Sequence, residues 1–269
     1  MSKNVTRLFE GFAPSNYKIA LTLSKDKESF TGSVTITGTR KGRPSKRFTF
    51  HQKGLKITNP TITKHDNKTG DSLIEVSRTV LQKSYDEVRL HVDQEQYPGE
   101  YTISMDFAGK ITKNMDGIYP CFFEHDGKKK RLIATQFESH HAREAFPCID
   151  EPEAKATFDF SLTHAAEETA LSNTPVIDEK VDCDSKTTTF DTSPIMSTYL
   201  VAFAVGEIKY KESISKNGVK IRTYATPDQI QFTDFALENA VKCMDFYEDY
   251  FDIPFPLPQC DFIALPDFA

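Results

Sequence analysis

Tryptophan is absent from this 269-residue chain. Aromatic packing therefore rests on 21 Phe and 10 Tyr, and the lack of indole rings speaks against a carbohydrate-binding sandwich. No apolar run reaches the length of a membrane span, and the opening MSKNVTRLFEGFAPSNYK has no secretory core, so a cytoplasmic location without membrane contact is expected. Excess positive charge is missing too: a formal net charge of -6 offers no general attraction to nucleic acid or anionic lipid. Cysteine is sparse, with five residues at 121, 148, 183, 243 and 260 and no Cys-x-x-Cys pair. That pattern fits reduced, packed thiols better than disulfides or a metal knuckle.

The usual catalytic signatures are missing as well. A zinc protease needs two His one helical turn apart and a Glu beside them, and no His-Glu-x-x-His occurs. Of the seven His (51, 65, 91, 125, 140, 141, 164) only His140 and His141 are close. As neighbours they diverge on either kind of element, so surface or interface roles are expected and no metal site is assigned. No Gly-x-Ser-x-Gly elbow and no Gly-rich phosphate loop is present. Cys148 lies near those His only in sequence, so a buried structural thiol is expected, and no catalytic residue is assigned.

What is present is an alternating apolar pattern from about Tyr17 to Val205. Tyr17, Ile19, Leu21 and Leu23 share one face; Phe30, Val34 and Ile36 another; Val88, Leu90, Val92 and Tyr101, Ile103, Met105, Phe107 repeat it. Turn signals at Asp66-Asn67, Thr69-Gly70, Pro98-Gly99 and Asp126-Gly127 are spaced as in an antiparallel sandwich or barrel. The basic run Lys128 to Arg131 reads most simply as a solvated hairpin tip, with a patch for an acidic partner as the lesser alternative. Residues 1–205 are thus expected to be an all-β domain.

Near Gly206 the character changes. TYLVAFAVGEI reads as a continuous apolar strand, followed by VKIRTYAT and an amphipathic segment with Leu237, Ala240, Val241, Met244, Tyr247 and Phe251 at helical spacing. Thr233 is the expected N-cap, Asp234 suits the positive helix end, and Pro254 lies past the last turn. With CDFIALPDFA this makes a strand, a helix and a strand, too small a core to stand alone. Residues 206–269 are expected to open a second domain.

The densest polar stretch is TQFESHHAREAFPCIDEPEAKATFDFSLT, from Thr135 to Thr163. If the strand begun by Leu132 and Ala134 continues, Gln136 and Glu138 project from one face and Phe137 from the other. A carboxylate beside an amide oxygen suits a substrate ammonium group. The same spacing also describes two ordinary polar positions on an exposed sheet face, and spacing alone favours that reading. Arg143, Asp150, Glu151, Glu153 and Lys155 form a cluster of both signs around Ala145-Phe146-Pro147, on a path made irregular by Pro147 and Pro152, and that suits scaffold rather than catalysis.

That segment resembles the signature of aminopeptidase N-type zinc exopeptidases. GIYPCFF, SPIMSTYLVAFAVGEI, VKIRTYATP and FALENAVKCMDFYEDYFDIPFPLPQCDFIALPDFA agree in order. The match spans nearly the whole chain and is thinnest in the first hundred residues, where APSNYKIALTL, Phe30-Thr31-Gly32 and HQKGLKI carry it. The resemblance implies a mainly β fold, with an antiparallel, saddle-like β-sandwich followed by the beginning of an α+β thermolysin-like domain. It implies that Gln136 and Glu138 approach the free amine of a peptide substrate. It implies zinc as the cofactor of the complete enzyme, with the ligands in the remainder of the catalytic domain, so that the 269 residues alone are inactive. A non-catalytic scaffold or interaction module with the same N-terminal fold is the alternative.

Overall fold

The computed structural model describes residues 7–24, 26, 28–66, 68 and 70–268. The turn positions Asn67 and Thr69 and the final Ala269 lie outside the described residues. Three sheets build the first two hundred residues. The largest has eight strands in the order Val176–Asp182, Ser185–Phe190, Thr157–Ala165, Phe12–Leu23, Ser29–Arg40, Gly99–Lys110, Lys56–His65, Ser72–Ile74. A three-stranded sheet, Ser45–His51, Glu87–Gln96 and Val76–Gln82, faces it. Between them lies one continuous core to which both sheets send their alternating apolar residues, among them Tyr17, Ile36, Phe50, Leu90 and Ile103. The period-two pattern therefore gave the inward faces correctly.

Two local expectations change. The eight-stranded sheet is not wholly antiparallel: Phe12–Leu23 runs parallel to Thr157–Ala165, with Asn16 opposite Thr157 and Leu21 opposite Leu162. Strands so far apart in sequence need no tight turn, so nothing local fixes their direction. Asn16 Nδ2 reinforces the pairing by donating to Thr157 Oγ1 at 2.9 Å and Asp159 Oδ2 at 3.1 Å. Pro98-Gly99, in turn, joins strands of different sheets, whereas Asp126-Gly127 is a true two-residue hairpin with φ of 52° and 67°.

A four-stranded sheet, ordered Thr169–Ser172, Phe203–Gly206, Lys128–Gln136, Gly117–His125, completes the β region. Both its faces are covered. Ile118, Ile133, Ala170, Phe203 and Val205 enter the main core, while Tyr119, Cys121, Phe123, Leu132, Ala134 and Leu171 form a second core with Ile208 and Tyr224. The run TYLVAFAVGEI is shorter as a strand than its apolarity implies. Thr198–Leu200 is a 3-10 turn, because the Thr198 hydroxyl donates to Asp150 Oδ1 at 2.7 Å and the strand starts only at Phe203.

From Lys209 the chain forms a second three-stranded sheet, Lys209–Ile214, Lys220–Ala225 and Gln259–Ile263, the last two parallel and joined through the helix Asp234–Phe251. Lys209–Ile214 was not among the expected strands. The helix spans the expected residues, but Thr233 does not cap it through its side chain. Thr233 also ends the 3-10 turn Ile230–Phe232, in helical geometry, and its hydroxyl donates back to Ile230 O at 2.9 Å. Only Glu248 of this helix is buried, accepting from Phe255 N at 2.7 Å and Asn217 Nδ2 at 2.9 Å. The outer side carries Phe235, Phe246, Tyr247, Tyr250 and Phe251, all more than half exposed.

Candidate functional site

Gln136 is the last residue of strand Lys128–Gln136, and Glu138 lies beyond it. The expected continuation of the strand through Glu138 is therefore not found. Phe137 turns inward, 2% exposed, and packs edge-on against Phe146 at 6.2 Å. That burial ends the pairing and swings Glu138 outward, so the two polar residues are brought together by a tight turn instead of a pleat. The Glu138 N–H donates to Gln136 Oε1 at 3.1 Å. Gln136 is half-buried and Glu138 exposed, and among the described residues the Glu138 carboxylate has no hydrogen-bond or ion-pair partner. The peptide between Glu138 and Ser139 is cis.

The floor beneath this corner is built from side chains the sequence did not single out. Opposite Gln136 stands Gly117, with φ of +68°. A Cβ there would sit 3.2 Å from Glu144 Cβ, so both the backbone conformation and the space call for glycine. Glu144 Oε1 receives Lys53 Nζ and His141 Nδ1, each at 2.9 Å. Burial works against ionising Glu144, yet these two donors hold its pKa below the ordinary carboxylate value. His140 takes a separate partner, Ser139 Oγ, at 2.8 Å. The neighbouring histidines thus take different hydrogen-bond partners, but their rings do not diverge as expected: the centroids lie 4.7 Å apart at an interplanar angle of 31°.

The rest of the loop up to Ala156 is tied down by a buried polar network. Arg143 Nε donates to Asp150 Oδ2 at 3.0 Å and Arg143 Nη2 to Asp150 O at 3.1 Å. Glu151 accepts from the Leu8 and Phe9 N–H groups at 2.9 and 3.3 Å. Arg143, Asp150 and Glu151 are therefore scaffold, as expected, whereas Glu153 and Lys155 are exposed and stand apart from it. Two contributors lie more than ninety residues away in sequence: Tyr17, whose hydroxyl accepts Ile149 N–H at 3.0 Å, and His51, whose Nδ1 accepts Asp150 N–H at 3.0 Å. Burial, with the Arg143 charge beside it, lowers the His51 pKa to about 3, so the ring is neutral and able to accept. Cys148 is fully buried, pairs its backbone with His51, and has its thiol pKa pushed up by burial. It is the inert thiol expected.

Only the alternation of sign around Pro147 hinted at this network. Nothing in the neighbourhood of Tyr17 or His51 in sequence marked them as its members, since both sit in ordinary strand patterns.

Among the described residues no three His, Cys, Asp or Glu side chains come together where they could hold a metal ion. These residues do not fit zinc. No helix among them is long and apolar enough to cross a membrane.

The described residues thus comprise a β-sandwich, a corner with an exposed carboxylate, and a strand-helix-strand unit packed on the four-stranded sheet. Residues 13–200 match the Peptidase M1 N-terminal domain and residues 235–269 the Peptidase family M1 domain. The chain belongs to the M1 peptidase family. It is 42% identical over 273 residues to an aminopeptidase N of Lactococcus lactis subsp. lactis, which covers 100% of this chain and 30% of that protein. It is 38% identical over 263 residues to a puromycin-sensitive aminopeptidase of Caenorhabditis elegans, covering 95% of this chain and 27% of the relative. An aminopeptidase A of Gloydius brevicauda is 36% identical over 259 residues, again 95% of this chain and 27% of the relative. The chain thus spans less than a third of the length of the curated relatives it matches.

Proposed function

We propose that these residues are the N-terminal part of a cytoplasmic, zinc-dependent aminopeptidase, and that Glu138, with Gln136, holds the ammonium group of a peptide substrate. The observation that carries this reading is an exposed carboxylate without a partner, set on a turn whose base is fixed by buried bonds. An ammonium group brings three donors and a charge. Glu138 supplies the opposite charge, and Gln136 Oε1, which already accepts one N–H, keeps a second lone pair for another. Because the loop is fixed beforehand, little ordering entropy is lost on binding. Anchoring the amine fixes how far the first peptide bond lies from the wall, which is the geometric basis of removing one residue at a time.

In this reading zinc supplies the Lewis-acid chemistry of the whole enzyme, and its ligands belong to residues other than those described. One strand of the four-stranded sheet ends at Gly206, and the first strand of the next sheet begins at Lys209. This supports the division of the chain into 1–205 and 206–269. Five free cysteines fit the reducing cytoplasm of this reading.

The test is Glu138→Ala in the full-length enzyme. Its kcat/KM for aminoacyl substrates is expected to fall roughly 10–100-fold, the effect of losing a charged hydrogen bond. A value within two-fold of wild type would return Glu138 to the status of a surface residue. Residues 1–269 alone, supplied with zinc, are expected to release no product from chromogenic aminoacyl substrates.

A further inference from the structure

The hairpin that ends in Gln136 also grips the chain far downstream. Side chains alternate along Gly117–His125, so Tyr119 and Cys121 both face away from the main core and towards the segment after Ile263. The Tyr119 hydroxyl donates to the backbone carbonyl oxygen of Asp267 at 3.2 Å, and the Cys121 thiol donates to the same oxygen at 3.3 Å. Both side chains are fully buried. Burial pushes the Tyr119 hydroxyl up to about 12 and raises the Cys121 thiol, so both keep their protons at neutral pH and remain donors.

The strand Gln259–Ile263 ends just before this contact. From Ala264 to Phe268, among the described residues, the hydrogen bonds that hold the chain are Ala264 N–H to Tyr224 O at 2.8 Å and the two donors on Asp267. Those donors lie close to the amine wall by register: Tyr119 is opposite Ala134, Cys121 opposite Leu132, and Gly117 opposite Gln136. Two residues of strand separate Tyr119 from Gly117, a span of about 7 Å.

We propose that Tyr119 and Cys121 are positioning residues, which through the Asp267 carbonyl hold the 264–268 backbone at a set distance from Glu138. This rests on the reading of Glu138 as the amine anchor. A peptide bound by its amine at Glu138 then meets backbone at 264–268 whose place is dictated by the same hairpin, so one rigid element registers both sides of the substrate's first residue.

The experiment uses the full-length enzyme with Tyr119→Phe, Cys121→Ala, Cys121→Ser and Glu138→Ala, each normalised to titrated active sites. Tyr119→Phe is expected to lower kcat/KM roughly five-fold, the factor one hydrogen bond commands. Hydrogen exchange of the 264–268 peptide should accelerate in Tyr119→Phe with Cys121→Ala, while Cys121→Ser, which keeps a donor, should retain protection. In the Glu138→Ala background Tyr119→Phe should lower kcat/KM less than two-fold, because the residue to be registered is gone. Faster exchange with unchanged kcat/KM would overturn the positioning role, as would an undiminished five-fold effect without Glu138. Unchanged exchange would overturn the clamp itself. An unaltered kcat/KM in Glu138→Ala alone would sink the anchor reading instead, and exchange, which needs no catalysis, tells the two failures apart.

Discussion

The loop from Phe137 to Ala156 and the helix Asp234–Phe251 are opposites. The loop has almost no regular structure, yet it buries Phe137, Ala142, Phe146, Cys148, Ile149, Asp150 and Glu151 and gives the Glu144, Asp150 and Glu151 carboxylates named donors. The helix is five regular turns of backbone and buries one side chain, Glu248. Regular hydrogen bonding and tertiary fixation are separate properties: an irregular segment is the more rigid when distant side chains complete its polar groups. The corner that carries Glu138 is built the first way. The helix is built the second way, with aromatic stacks such as Phe246 on Tyr250 and Tyr247 on Phe251 at 5.6 and 5.9 Å among exposed side chains.

The sharpest way to break the contrast is to attack the loop at its hub. Asp150→Ala removes the partner of a largely buried Arg143 and the acceptor of Thr198, so stability in urea should fall by about 3–5 kcal/mol. A loss below 1 kcal/mol would mean the network is ornamental. Tyr17→Phe keeps the stacked ring on Phe158 but leaves the Ile149 N–H without its acceptor, and about 1–3 kcal/mol should be lost.

Acid probes the same loop through His51. Its folded pKa is depressed to about 3, against about 6.5 in an unfolded chain. Between those values the unfolded chain binds the extra proton, so the stabilisation is whole above the unfolded value and is lost as pH falls towards the folded one. The slope expected from this group is on the order of 1.4 kcal/mol per pH unit. His51→Gln, compared with wild type from pH 7 to 5, should flatten the fall, and an identical slope in both would refute the assignment. The smallest effect belongs to the helix: Phe246→Ser on its 57%-exposed site should move stability of these 269 residues by no more than about 0.5 kcal/mol.

The same contrast explains what was legible in sequence. The helix could be read to its boundary residues because its periodicity is local, and the strands because their faces alternate. Local signals failed where a distant group took over. Thr233 looks like a cap until Ile230 claims its hydroxyl, and TYLVAFAVGEI looks like one strand until Asp150 draws Thr198 into a turn. Gln136 and Glu138 are neighbours through a turn and not along a strand, since burial of Phe137 ends the strand between them. Tyr17, His51, Gly117 and Glu144 were invisible as supports because each meets its partner through tertiary contact.

The claim that most needs testing is that Glu138 reads the substrate's amine. The direct measurement is the ratio of inhibition constants for an amino-bearing transition-state inhibitor and its desamino analogue, in full-length wild type and in Glu138→Gln. The account predicts that wild type favours the amine by at least about ten-fold and that the preference collapses towards unity in the variant. An undiminished preference in Glu138→Gln would contradict it.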